Sequence, residues 1–138
     1  MGAWGTGIFE NDSALDWIGE LVAENDESII YSTLASIDNK VESITDTYIE
    51  EPDASAILAA AEIVAYLSGN PSDDLPEEVV DWLEENKLNN ISELLELARS
   101  SVKTVKKKSE LRELWEESDE FDDWLSVVGE LERRLQNK

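Results

Sequence analysis

The sequence predicts an all-α fold: one compact domain over residues 1–138, a bundle of six or seven helices with an ordered glycine and aromatic segment at its N-terminus. Three observations predict it. Apolar residues recur at three- and four-residue steps along most of the chain, the spacing of a single helix face; Ile30, Leu34, Ile37, Val41 and Ile44 form the clearest such run. Asn, Asp, Ser, Pro and Gly fall between the runs, where helices start and stop. Hydrophobic residues make up 41% of the 138, enough to build a core despite heavy charge.

The elements follow in order. Gly2, Gly5 and Gly7 interleave with Trp4, Ile8 and Phe9. Glycine serves where the backbone takes φ > 0 or approaches another group closely, and aromatic rings need burial. The segment is therefore expected to dock, with Trp4 and Phe9 against the first and central helices. Asp12 or Ser13 caps a first helix to about Ala23, and Asn25-Asp26 breaks it. A second helix runs from about Glu27 to Ser43. Thr45–Glu51 is the one β-tolerant stretch, expected as a loop or half-strand holding Tyr48 and Ile49. Pro52 opens a central helix, ASAILAAAEIVAYL, apolar almost all round, with Gly69 in its C-terminal cap and Pro71 preventing continuation. Pro76 opens the next, with Val79, Val80, Trp82 and Leu83 as its buried face and Asn86 as its stop. Asn89 or Asn90 caps a helix that ends in Lys106-Lys107-Lys108, cations suited to the negative helix end. The last region, from Ser109 to about Leu135, is either one long helix or two; Ser118-Asp119 is a good new N-cap and favours the break, with Asp119 and Glu120 in the new first turn.

Composition excludes much of chemistry. There is no cysteine and no histidine, which removes disulfides, thiolate and imidazole metal sites, and Cys–His or Ser–His catalysis. Glycine-rich phosphate loops and calcium-loop patterns are absent too, so no cofactor and no metal are expected. No apolar run approaches the ~20 residues of a membrane span. Met1-Gly2 with Thr6 fits an N-myristoylation pattern, but Trp4 and Phe9 read as packing residues. The net charge is −22: residues 1–69 hold 14 acids against one base, residues 70–138 hold 19 against 10. Such an excess argues against nucleic acid and anionic membrane as partners. It suits a solvated surface, a nucleic-acid mimic, or an inhibitor docking on a basic protein face.

Met1-Gly2-Ala3-Trp4-Gly5, then Gly7, Phe9, Asn11-Asp12, Ala14 and Asp16-Trp17, resemble the opening of a family of small bacterial proteins, an uncharacterised domain of unknown function. Ala59–Ala65, Leu75-Pro76-Glu77-Glu78, Leu114-Trp115-Glu116 and Trp124 extend the resemblance over most of the chain. It implies a cytoplasmic helical protein and assigns neither activity nor catalytic residues.

Two candidate sites remain. Asp119, Glu120, Asp122, Asp123 and Trp124 set carboxylates beside an aromatic ring, which suits a basic, partly apolar partner if Trp124 is an exposed anchor. If Trp124 faces the core, the acids simply solvate the helix. Glu62 is isolated on the apolar central helix and needs a partner. Arg99, Arg112 and Arg134 are the candidates, and a bound ligand is the alternative. Asp12 and Asp16, four apart on one helix face, are a weaker carboxylate pair for acid–base work. The expectation is a non-enzymatic acidic protein that binds another protein, an immunity or inhibitor protein against a basic partner being its most concrete form. The competing expectation is a carboxylate-based ligand binder or enzyme centred on Glu62.

The charge generates a first prediction. At an ionic strength of about 0.15 M the Debye length is about 8 Å, so salt screens the mutual repulsion of exposed carboxylates. The melting temperature at pH 7 should rise as NaCl goes from low to moderate concentration. A fall would mean that favourable ion pairs outweigh the repulsion.

Overall fold

A computed structural model of the protein describes residues 5–41, 49–72, 75–86 and 91–136, with the side chains of 37–41 excepted. Those residues form α1 (Asp12–Glu24), α2 (Ser28–Val41), α3 (Glu51–Leu67), α4 (Glu77–Glu85), α5 (Ile91–Lys107), α6 (Glu110–Glu116) and α7 (Phe121–Gln136). No strand occurs among them. The sequence-predicted positions of Trp4, Ile44, Tyr48, Asn89 and Asn90 lie outside the described residues.

Helix α3 is the axis of the bundle. From Ala54 to Ala65 every residue except Ala56 is buried. A helix apolar on all sides has no face to give to water, so its neighbours must surround it. Helices α1, α2, α5, α6 and α7 all pack on α3, and α4 packs on α1 instead. One continuous core results, running from Ile8 and Phe9 through α3 to Val128, Leu131 and Leu135.

Helix ends follow local chemistry, with some shifts from expectation. The N-cap of α1 is Asn11, one residue before the expected Asp12 or Ser13; its Oδ1 accepts from the Ala14 N–H at 2.8 Å. The Ser13 hydroxyl is used elsewhere, donating to Glu51 Oε1 at 3.2 Å. Helix α1 ends at Asn25, which adopts the left-handed conformation (φ 51°, ψ 44°) that Asn tolerates better than most residues. Helix α3 closes in a Schellman motif: the Gly69 N–H reaches Tyr66 O and the Asn70 N–H reaches Ala65 O. Gly69, at φ 90°, is the one described glycine with positive φ.

The N-terminal glycines serve the other use of that residue. The Gly7 N–H donates to Glu10 Oε1 at 3.0 Å, and a Cβ at Gly5 or Gly7 would fall on that carboxylate. The turn aims Ile8 and Phe9 into the core, 6% and 7% exposed.

The chain breaks between α6 and α7, as Ser118 suggests. Ser118 Oγ accepts from the Glu120 N–H and donates to Trp115 O. Helix α7 starts at Phe121, so Asp122 and Asp123 occupy its first turn, and Asp119 and Glu120 precede it.

Three helix starts meet at one end of the bundle. The Glu110 N–H donates to Ile49 O at 2.8 Å, and Glu110 Oε1 accepts from the Glu51 N–H at 2.7 Å. Glu51 in turn accepts from Ser13 and Ser55 through its two oxygens. The starts of α1, α3 and α6 are thereby tied together, with carboxylates at their positive ends.

Docking of the N-terminal turn gives the second prediction. Phe9→Ala leaves a cavity in the core that Phe9 joins, and aromatic truncation in a core costs about 3–5 kcal/mol. A clear drop in melting temperature should follow, and an unchanged one would mean that the turn contributes nothing to the fold.

Candidate functional site

Glu62 faces Arg134 across the α3–α7 contact. Arg134 Nη1 donates to Glu62 Oε1 at 2.6 Å and Nη2 to Oε2 at 3.2 Å, a bidentate pair. The carboxylate side chain is 3% exposed and the guanidinium side chain 16%. Reciprocal bonds fasten the same turn: Asn70 Nδ2 donates to Arg134 O and Arg134 Nη1 to Asn70 O. Arg134 Nε is buried without a hydrogen-bond partner, 3.6 Å from Glu130 Oε1. Of the three expected arginine partners the fold selects Arg134. Arg99 donates its Nε–H to Leu135 O, and Arg112 pairs with Glu116. With both oxygens engaged, Glu62 is a structural ion pair rather than an open ligand contact.

Trp124 is 3% exposed, so it is a core residue and not a surface anchor. The physical reason is the period of α7: Trp124, Val128, Leu131 and Leu135 form one stripe against the core. Phe121 stacks on Trp124 with centroids 6.2 Å apart, and the Arg112 guanidinium lies 5.1 Å over the Phe121 ring. Asp119, Glu120, Asp122 and Asp123 are exposed on the outer side. This cluster therefore has a cation beside it and no aromatic anchor.

A more uniform surface lies elsewhere. Asp12, Asp16, Glu20 and Glu24 are all exposed and repeat every four residues along α1. Helix α4, joined to α1 through the Trp82 Nε1–Asn25 Oδ1 bond of 2.8 Å, exposes Glu77, Glu78, Asp81, Glu84 and Glu85. Asp26 and Glu27 join the flank at the start of α2. Asp26 sits below its ordinary carboxylate value because the Ser28 hydroxyl, and then the Ser28 N–H, hydrogen-bond its charged form. That contribution to stability is complete above the ordinary aspartate range and is lost as pH falls through the lowered value.

Neither α1 nor α4 carries a lysine or arginine. Counted by helices rather than by halves, residues 1–86 hold 21 acids against one base and residues 87–138 hold 12 against 10. The charge excess is thus concentrated in residues 1–86. The signal was present in the sequence as the four-residue spacing from Asp12 to Glu24; only the pairing of α1 with α4 was hidden.

The family-like N-terminal turn borders a cavity of about 20 Å³, between Gly5, Ser13, Glu51, Leu58, Trp115 and Trp124. That is room for about one water molecule. No cluster of three or more acidic ligands able to hold a metal ion occurs among the described residues. No helix there is long and apolar enough to cross a membrane.

Fold and surface define an acidic, all-α protein whose most distinctive exposed feature is a one-signed flank. The sequence profile of DUF4259, a domain of unknown function, matches residues 2–127, and the chain belongs to that family. Comparisons with curated proteins and with solved structures each returned no match.

The Glu62–Arg134 pair gives a third prediction. Removing one partner strands a buried charge, so Glu62→Leu or Arg134→Leu alone should destabilise by about 3–5 kcal/mol, whereas replacing both should cost much less than the worse single change. Denaturant melts of the three variants read this directly. A double variant as unstable as the sum of the singles would show that the pair does not act as a unit.

Proposed function

We propose that this is a non-enzymatic bacterial protein of the cytoplasm that acts by binding the basic surface of another protein, in the manner of an immunity or inhibitor protein. The observation that carries the reading is the α1–α4 flank, two helices with exposed carboxylates and neither a lysine nor an arginine of their own. A one-signed surface raises the rate of encounter with an oppositely charged surface and disfavours the phosphates of nucleic acid. The Asp119–Asp123 cluster, with Arg112 close by, is secondary in this account. The competing reading centred on Glu62 loses its support, because Arg134 occupies both carboxylate oxygens.

The test is a comparison of captured partners. Wild type and an Asp16→Lys, Glu20→Lys, Glu24→Lys variant are each used to capture proteins from the native cell, and association is timed at two salt concentrations. A basic partner held by wild type should be lost by the variant, with an on-rate that falls steeply as salt rises. Asp122→Lys with Asp123→Lys should have a smaller effect. A partner retained equally by all three proteins would sink the reading.

A further inference from the structure

The chain carries a counterpart to its own acidic flank. Residues 97–109 contain no acid and five bases: Arg99, Lys103, Lys106, Lys107 and Lys108. They lie on the second half of α5 and just beyond it. Arg99, Lys103 and Lys107 repeat every four residues, the same step as Asp16, Glu20 and Glu24 on α1. On any α-helix a four-residue step is about 6 Å of rise, so two such ladders laid side by side stay in register over three charges.

Lys103 and Lys107 are exposed and have no ion-pair partner among the described residues. Arg99 is held at the edge of an open groove of about 400 Å³ by its bond to Leu135 O, and Lys103 lines the same groove together with Glu96 and Glu132. Lys106 is drawn off to Glu132 at 2.9 Å, on the α7 side. Helix α1 packs on α3 and α4, and α5 packs on α2, α3, α6 and α7. The two ladders therefore sit on elements that are not principal neighbours within one molecule, and each is open to a second.

We propose that the exposed face of α5 is a docking surface for a second copy of this chain, whose α1 carboxylate ladder pairs with Arg99, Lys103 and Lys107. The inference rests on the reading of the α1–α4 flank as a binding face and names one occupant for it. Net charge is the obvious opponent of association. It is unequally placed, however: residues 87–138 carry only two net negative charges against twenty on residues 1–86. The approach is thus of a strongly acidic flank toward a nearly neutral end. At about 0.15 M salt the far charges are screened beyond about 8 Å, while contacting ladders are not. The contact is heterologous, α1 of one copy against α5 of the next, so it builds a ring or a chain unless two such contacts close on each other.

Sedimentation equilibrium at about 0.15 M salt tests this, with the fold of each variant checked by circular dichroism. Wild type should associate reversibly with rising concentration. The α1 variant (Asp16→Lys, Glu20→Lys, Glu24→Lys) and the α5 variant (Lys103→Glu, Lys107→Glu) should each weaken association by about tenfold or more. Mixed together they should co-assemble in equal proportions, because each then offers the other complementary ladders. If the α5 reversal unfolds the protein, Lys103→Gln with Lys107→Gln carries the same arm, with weakened association expected. Wild type that stays monomeric to its solubility limit overturns the proposal. So does a variant that associates like wild type, or a mixture that fails to pair. A lysine–alanine helical peptide separates this from the underlying reading. Wild type that is monomeric yet binds the peptide, with the α1 variant binding it weakly, overturns self-association alone. A peptide bound equally by both overturns the reading of the acidic flank as well.

Discussion

Helix α3 sets the terms for the other six. Its buried run from Ala54 to Ala65 has apolar side chains in nearly every direction, so stability requires neighbours on every side. Alanines at 54, 59, 60, 61 and 65 keep the surface of that helix low, which lets the surrounding helices approach closely. Five of the other six helices take a share of it, and each brings one apolar stripe of its own. Glu62 is the single ionisable interruption of the buried run, and the same enclosure that shields the alanines removes water from its carboxylate. Arg134 answers it with two hydrogen bonds, and the final turn of α7 is positioned as a consequence.

Enclosure leaves the helix ends to be satisfied, since terminal N–H and C=O groups have no partner in their own helix. The protein meets them with side chains from other elements. Glu110 caps the start of α3, Asn70 and Arg99 reach the last carbonyls of α7, and Asn25 ends α1 while accepting the Trp82 indole N–H. These bonds are few and directional. They select one arrangement among helices whose apolar stripes alone would tolerate several, because stripes of Leu, Val and Ala do not discriminate strongly between neighbouring registers.

With the interior so apolar, nearly all the charge is displaced to the surface, and its distribution becomes the main source of specificity available to the molecule. The one-signed flank of α1 and α4 and the cation ladder of α5 are opposite solutions on one chain. Between them, the start of α7 is mixed: its carboxylates are solvated, its aromatic ring is inside, and Arg112 covers Phe121.

The sequence by itself determined the class and the segmentation. Period and helix punctuation are local properties, so the break at Ser118, the end of α3 at Gly69 and the all-round burial of α3 were all legible before any contact was known. Composition likewise removed imidazole and thiol chemistry outright. The family-like opening was legible as a pattern, and its turn, closed by the Gly7 N–H on Glu10, carries Ile8 and Phe9 into the core. What only the tertiary structure decided were the pairings at a distance. Asn11 caps α1 while the Ser13 hydroxyl reaches across to Glu51, and Arg134 pairs with Glu62 where α3 and α7 meet, while Arg99 and Arg112 are turned to other partners. Trp124 went inward because α7 begins two residues after Asp119, which sets its stripe on α3. The grouping of α1 with α4 into one acidic flank belongs here as well. Periodicity states which face of a helix is apolar, but the neighbour that covers that face is chosen by packing among all the helices at once, and no local spacing encodes it.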